Sequence, residues 1–137
     1  MISLKKFDLE DKNIFILGRS LGTSPSIYLA SVRSPNALLL VGSFTTKRAV
    51  AKSFISILCY LLNNRFLSEE YIKNVKCPTF FIHCKRDSKL PYQETVTLHK
   101  LCESIKEIHL PPHMTHKDFD LEEDIMNPIG KFVKEKC

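Results

Sequence analysis

The sequence predicts an α/β fold, a parallel sheet with helices on both faces, formed by a single domain over residues 1–137. Three observations carry this. Four short apolar runs, "IFIL", "ALLLV", "TFFIH" and "EIHL", are spaced along the chain as strands. The stretches between them have helical spacing, so the order is βαβαβαβα, and strands that alternate with helices pair in parallel and are covered on both sides. The length, 137 residues, suits one hydrophobic core.

Each element has a local reason. Ile14–Leu17 is apolar and stops at Gly18, and a helix follows from Gly22 to Val32 with Pro25 in its first turn, where a missing N–H costs little. Ala37–Val41 is the second strand. "SFTTKRAVAKSFISILCYLLNN" then reads as a helix ending at Asn63-Asn64. Cys77-Pro78 opens the third strand. Pro91 starts an amphipathic helix, "PYQETVTLHKLCESI", with Val96, Leu98, Leu101 and Ile105 near helical spacing. After "EIHL" the chain turns helical from Phe119, with Ile125, Ile129 and Phe132 on one face and Pro128 as a local break. Right-handed crossovers are the default for such units.

Composition narrows the function. The net charge is +5, from 20 basic and 15 acidic residues that are dispersed along the chain. No basic stripe with interleaved aromatics exists, so nucleic acid is not an expected partner. The charge is compatible with weak, peripheral attraction to an anionic membrane surface. The five cysteines are odd in number and form no CxxC pair, and "MISLKKFDLED" has no long apolar stretch, so a reduced, cytoplasmic setting is expected. The longest apolar run, Phe54–Leu62, has nine residues. A bilayer span needs about 20, so this run is a buried or interfacial helix.

In parallel sheets chemistry gathers at the carboxyl ends of the strands. After the first strand stands Gly18-Arg19-Ser20-Leu21-Gly22, after the third Cys84-Lys85-Arg86-Asp87, and after the fourth Pro111-Pro112-His113-Met114-Thr115-His116. The order Ser, Asp, His is that of the triad in one class of serine hydrolases. A strand turning directly into a helix thrusts the serine upward on a strained backbone, and glycines two before and two after it relieve crowding. The expected catalytic residues are Ser20 as nucleophile, Asp87 as the acid that orients the base, and His116 as the base. Leu21 contributes an oxyanion-hole N–H at the helix N-terminus.

Alternatives exist for several of these groups. Asp87 or Ser88 could simply cap the helix that follows, and His113 competes with His116. Asp118 suits the cap of the last helix. His83 and His109 lie in strands and suit core or sheet-face roles, while His99 lies mid-helix and suits a solvated position. Cys84 as a nucleophile would need a neighbouring base. The glycine turn matches neither GxxxxGK[ST] nor GxGxxG, so no phosphate-bearing cofactor is expected, and no metal or other cofactor either.

Three stretches, "GRSLGTSPSIYLAS", "KCPTFFIHCKRDSKLPYQETVTLHKLC" and "LPPHMTHKDFD", resemble the α/β-hydrolase superfamily. The nearest branch is that of the ABHD and Bem46-like serine hydrolases, which includes palmitoyl-protein thioesterases. The resemblance begins near Asn13 and covers the C-terminal half of the family's fold. It implies that Ser20, Asp87 and His116 match the nucleophile, acid and base, and that "GSFTT", Gly42 to Thr46, helps line the pocket. Cys84 and Thr115 stand where the family commonly has glycine. Family members carry four strands before the elbow, and a loop of that part supplies the second oxyanion donor. The fold expected here therefore lacks those strands and leaves the first strand as an apolar edge.

Two functions follow. One is a serine hydrolase of acyl esters or thioesters, acting through an acyl-serine intermediate, with protein depalmitoylation as the finer reading. The other is a truncated, inactive hydrolase fragment or a module that binds a partner. The "FISILCYLL" helix could line an acyl pocket, but packing on the sheet is the simpler role.

Overall fold

The alternation inside Ala37–Val41 decides how the sheet is covered. Leu38 and Leu40 pack on one face with Ile27, Ala30, Ile72, Phe81 and Leu98. Ala37, Leu39 and Val41 pack on the other with Phe80, Ile82, Met114, Ile125 and Phe132. Successive strand side chains point to opposite faces, so an unbroken apolar run supplies both cores at once. Each large side chain removed from water here contributes about 1.5–3 kcal/mol.

The structure, a computed structural model, describes residues 10–45, 67–88 and 90–137. Four parallel strands, β1 (Phe15–Arg19), β2 (Ala37–Val41), β3 (Thr79–Ile82) and β4 (Lys106–His109), lie side by side in chain order. Register pairs Phe15 with Ala37, Leu38 with Thr79, and Thr79 with Lys106. Helix α1 (Thr23–Val32), the short α2 (Ser68–Tyr71) and α3 (Tyr92–Leu101) cover one face. Helix α4 (Asn127–Lys136) covers the other, and Phe132 stacks on Phe80 with ring centroids 4.8 Å apart. The fold class expected from the sequence is the one observed.

Several details differ from expectation. The α3 helix ends at Leu101, so Ile105 is exposed rather than part of its apolar stripe. Pro128 does not end the last helix but sits where the helical run passes into α4. The irregularity falls just before it, as a π-helical stretch over Leu121–Met126. That stretch is capped by Asp120, whose carboxylate accepts from the amides of Glu122 and Glu123. Asp118 instead closes a turn with Thr115, donating its amide to Thr115 Oγ1 at 3.0 Å. Residues 43–45 form a loop after β2. The remainder of the helix expected over 43–64, including Phe54–Leu62, lies outside the described residues.

Strand β1 is at the edge of the sheet, and Phe15 and Leu17 are 44% and 58% exposed. Among the described residues no helix is long and apolar enough to cross a membrane. Cys77, Cys84 and Cys102 are buried free thiols, and Cys137 is an exposed one.

Candidate active site

The strand-to-helix turn after β1 forces Ser20 into the left-handed region, with φ of 50°. No other described non-glycine residue has a positive φ. For an L-residue this conformation costs about 1–2 kcal/mol, and such strain concentrates at functional sites. Ser20 opens a 3₁₀ turn, Ser20–Gly22, that runs straight into α1. Its carbonyl accepts from Thr23 Oγ1 at 2.6 Å, which locks the turn. Leu21 is the next residue, and the first amides of a helical turn have no intrahelical acceptor. Ser20→Gly is expected to raise stability by about 1 kcal/mol relative to Ser20→Ala, because glycine adopts this φ freely. Urea unfolding of the two variants measures the difference.

The acid comes from the loop after β3. Asp87 has a fully buried carboxylate. Its Oδ1 accepts the Leu90 amide at 2.8 Å, and its Oδ2 accepts His116 Nδ1 at 2.7 Å. The distance to His116 is that of a charge-assisted bond. The bond fixes the imidazole with its proton on Nδ1, leaving Nε2 to accept. The His116 ring is 23% exposed. Its loop is anchored by Met114, which is buried in the core between the sheet and α4. His113, the alternative base, is exposed.

The serine turn and the histidine loop are joined by Arg19. Its guanidinium donates to the His116 carbonyl at 3.1 Å and lies 4.9 Å from the Phe119 ring centroid. A small concavity at this end of the sheet is lined by Arg19, Gly42, Cys84, Asp87, Met114 and His116. Ser20, Asp87 and His116 therefore stand on three loops that leave the same sheet at the carboxyl ends of its strands, and Asp87 and His116 are in direct contact.

No family model matches the chain. The Caenorhabditis elegans protein named alpha/beta hydrolase domain-containing protein aho-3 is 28% identical over 128 residues, which are 93% of this chain and 38% of that protein. The Danio rerio lysophosphatidylserine lipase ABHD12 is 30% identical over 118 residues, 72% of this chain and 31% of that protein. The esterase domain of a Rhodothermus marinus protein superposes with a TM-score of 0.73 at 12% identity, over 88% of this chain and 60% of that one. This chain has the α/β-hydrolase fold, and its relatives include ABHD-type proteins. It spans less than half the length of either curated relative.

Within this hydrolase-fold chain the remaining candidates separate by environment. Cys84 is buried, and burial together with the neighbouring Asp87 pushes its thiol up to about 12, so it is not a thiolate at neutral pH. Its Sγ lies 3.6 Å from Asp87 Oδ2, a weak donation to the carboxylate. His83, Cys84 and Asp87 offer ligand atoms within 4.8 Å of one another. Those atoms are engaged within the protein: His83 Nε2 by the Leu90 carbonyl at 2.9 Å, the thiol by Asp87, and Asp87 Oδ2 by His116. A metal ion there would have to break these bonds. His99 is half-buried rather than solvated, packs edge-on against Phe81 at 5.5 Å, and has its pKa lowered by burial.

Sequence reasoning missed Arg19 and the partners of His83. Arg19 occupies an unconstrained position of the serine motif, and its partner is 97 residues away. Spacing carries no signal for such a contact. The two motif glycines also differ. A Cβ at Gly18 would come within 2.6 Å of Ser26 Oγ and 2.8 Å of the Gly22 carbonyl, whereas one at Gly22 would meet nothing within 4 Å. Steric crowding explains the first glycine and not the second.

Proposed function

We propose that the chain carries the nucleophile, acid and base of a serine hydrolase that cleaves acyl esters or thioesters. The observation that carries this is the 2.7 Å bond between the buried Asp87 carboxylate and His116 Nδ1, on the same strand-end edge of the sheet as a serine held at positive φ. His116 Nε2 takes the Ser20 proton as Oγ attacks the acyl carbon. The Leu21 N–H receives the negative charge on the former carbonyl oxygen. Collapse breaks the bond to the leaving alcohol or thiol, which departs with the proton from His116. Water then attacks the acyl-serine, His116 again accepts a proton, and the carboxylic acid leaves as Ser20 regains its hydrogen. No step calls on a cofactor or a metal.

The names of a relative, a lysophosphatidylserine lipase, and of a structural neighbour, an esterase domain, support acyl substrates of this class. Depalmitoylation is the finer form of the proposal, in which the bond cleaved is a long-chain thioester on cysteine. A palmitoyl-thioester peptide compared with a simple ester of the same acid distinguishes the two. A second reading is favoured by the exposed β1 edge: a hydrolase-fold module that binds a partner without turnover. A fluorophosphonate probe tests both. Wild type is expected to label at Ser20 and Ser20→Ala not at all. Equal labelling of the two rejects Ser20 as nucleophile, and a folded but unlabelled wild type favours the binding module.

A further inference from the structure

Behind the acid loop lies a buried polar chain that the reaction itself does not use. His83, at the end of β3, is 1% exposed. Its Nε2 faces the Leu90 carbonyl at 2.9 Å, and its Nδ1 faces Thr95 Oγ1 at 2.6 Å. Thr95 also meets Ser43 Oγ at 2.8 Å and the Ser43 carbonyl at 3.0 Å. Next to Thr95 on α3, Glu94 accepts from both the amide and the hydroxyl of Thr45. Two adjacent residues of one helix thus tie the loop after β2 to the loop that holds the acid.

The protons can be counted. A carbonyl only accepts, so His83 Nε2 carries a hydrogen. Thr95 has one hydroxyl proton, and it goes either to His83 Nδ1 or to the Ser43 carbonyl. Giving it to Ser43 would require a second ring proton and a buried imidazolium. Burial lowers the pKa of this ring and His116 adds to it, together outweighing the Leu90 hydrogen bond, Asp87 and Glu94, which act the other way. The ring is therefore neutral. Ser43 donates to Thr95, Thr95 to Nδ1, and Nε2–H to Leu90. His83 Nε2 is 3.6 Å from Asp87 Oδ2, too far for a hydrogen bond, so its influence on the acid runs through residue 90. The Leu90 amide is what holds Asp87 Oδ1.

We propose that His83 is a positioning residue: by gripping the Leu90 carbonyl, in a tautomer set by Thr95 and Ser43, it fixes the Leu90 amide that aims Asp87 at His116. The same chain links the triad acid to the loop after β2, so movement of Ser43 is felt at Asp87. Buried networks of this kind specify one geometry because an unpaired member is costly.

This inference rests on the triad reading, so its test includes a signal that needs no turnover. The proton between His116 Nδ1 and Asp87 resonates downfield of the amide envelope and is read by NMR on the full chain. His83→Phe keeps the ring and removes both hydrogen bonds; it is expected to lose that resonance and to lower ester kcat by about 10–100-fold, with KM within about threefold of wild type. His83→Gln keeps a donor for Leu90 and an acceptor for Thr95, and is expected to restore the resonance and most of kcat. Thr95→Val is expected to fall between them. An unchanged resonance in His83→Phe overturns the inference. Should that variant fail to fold, a Thr95→Val signal identical to wild type overturns it instead. A wild type that shows the resonance but never reacts with the probe rejects the hydrolase reading and leaves the positioning claim to be judged by NMR alone.

Discussion

Asp87→Asn is expected to lower kcat by about 10⁴-fold with little change in KM. The amide oxygen can still accept the Leu90 N–H, so the loop keeps its shape. The amide nitrogen then faces His116 Nδ1, where a hydrogen already sits. Two donors cannot share that contact. The imidazole answers by carrying its proton on Nε2, and a protonated Nε2 cannot accept from Ser20. The loss is therefore a loss of the correct tautomer rather than of structure. Steady-state kinetics on a chromogenic ester, together with a circular dichroism spectrum that matches wild type, check it. Retention of more than a tenth of wild-type kcat would remove Asp87 from the role of orienting acid.

Gly18→Ala and Gly22→Ala are expected to part company although they flank the serine symmetrically. At Gly18 the new methyl meets the Gly22 carbonyl at 2.8 Å and Ser26 Cβ at 2.9 Å. Neither is the free end of a flexible side chain, so the elbow itself must move. Overpacking of this kind costs about 1–3 kcal/mol. A displacement of about 1 Å at the nucleophile lowers the rate by about 10²-fold. At Gly22 the backbone is already right-handed, with φ of −66°, and the space is open. Stability there is expected to stay within about 0.5 kcal/mol of wild type. Urea unfolding and probe-labelling rates measured on both variants test the contrast, and equal destabilisation at the two positions would contradict it.

The sheet was legible because its signal is local. Ala37–Val41 reads as a doubly covered strand in any window, and its bounds are those observed. β1 begins one residue after, and β4 one residue before, the apolar run that announces it, since pairing partners rather than hydrophobicity set where a ladder begins. Ser20, Asp87 and His116 stood out because each follows a strand, and strand ends are the places a parallel sheet brings together. What stayed hidden depends on distances across the fold. The choice of Asp120 over Asp118 as cap turns on a two-residue shift of the last helix. The His83–Thr95–Ser43 chain joins three elements through a histidine whose sequence surroundings are those of an ordinary core position. Open space at Gly22 is visible only once the neighbouring backbone is in place.

The contacts of His116 span very different lengths of polypeptide. Its partner Asp87 is 29 residues away, the two standing on the loops after β3 and β4, while Arg19 reaches it across 97. The proton-handling pair is thus assembled inside a short segment, and the serine is delivered by an edge strand whose described pairing is with β2 alone. Peeling that margin away would separate Ser20 from an Asp87–His116 pair that remains joined. On warming, the proposed reaction of Ser20 with a fluorophosphonate probe is expected to vanish ahead of cooperative melting, as where the least protected part of a structure opens first.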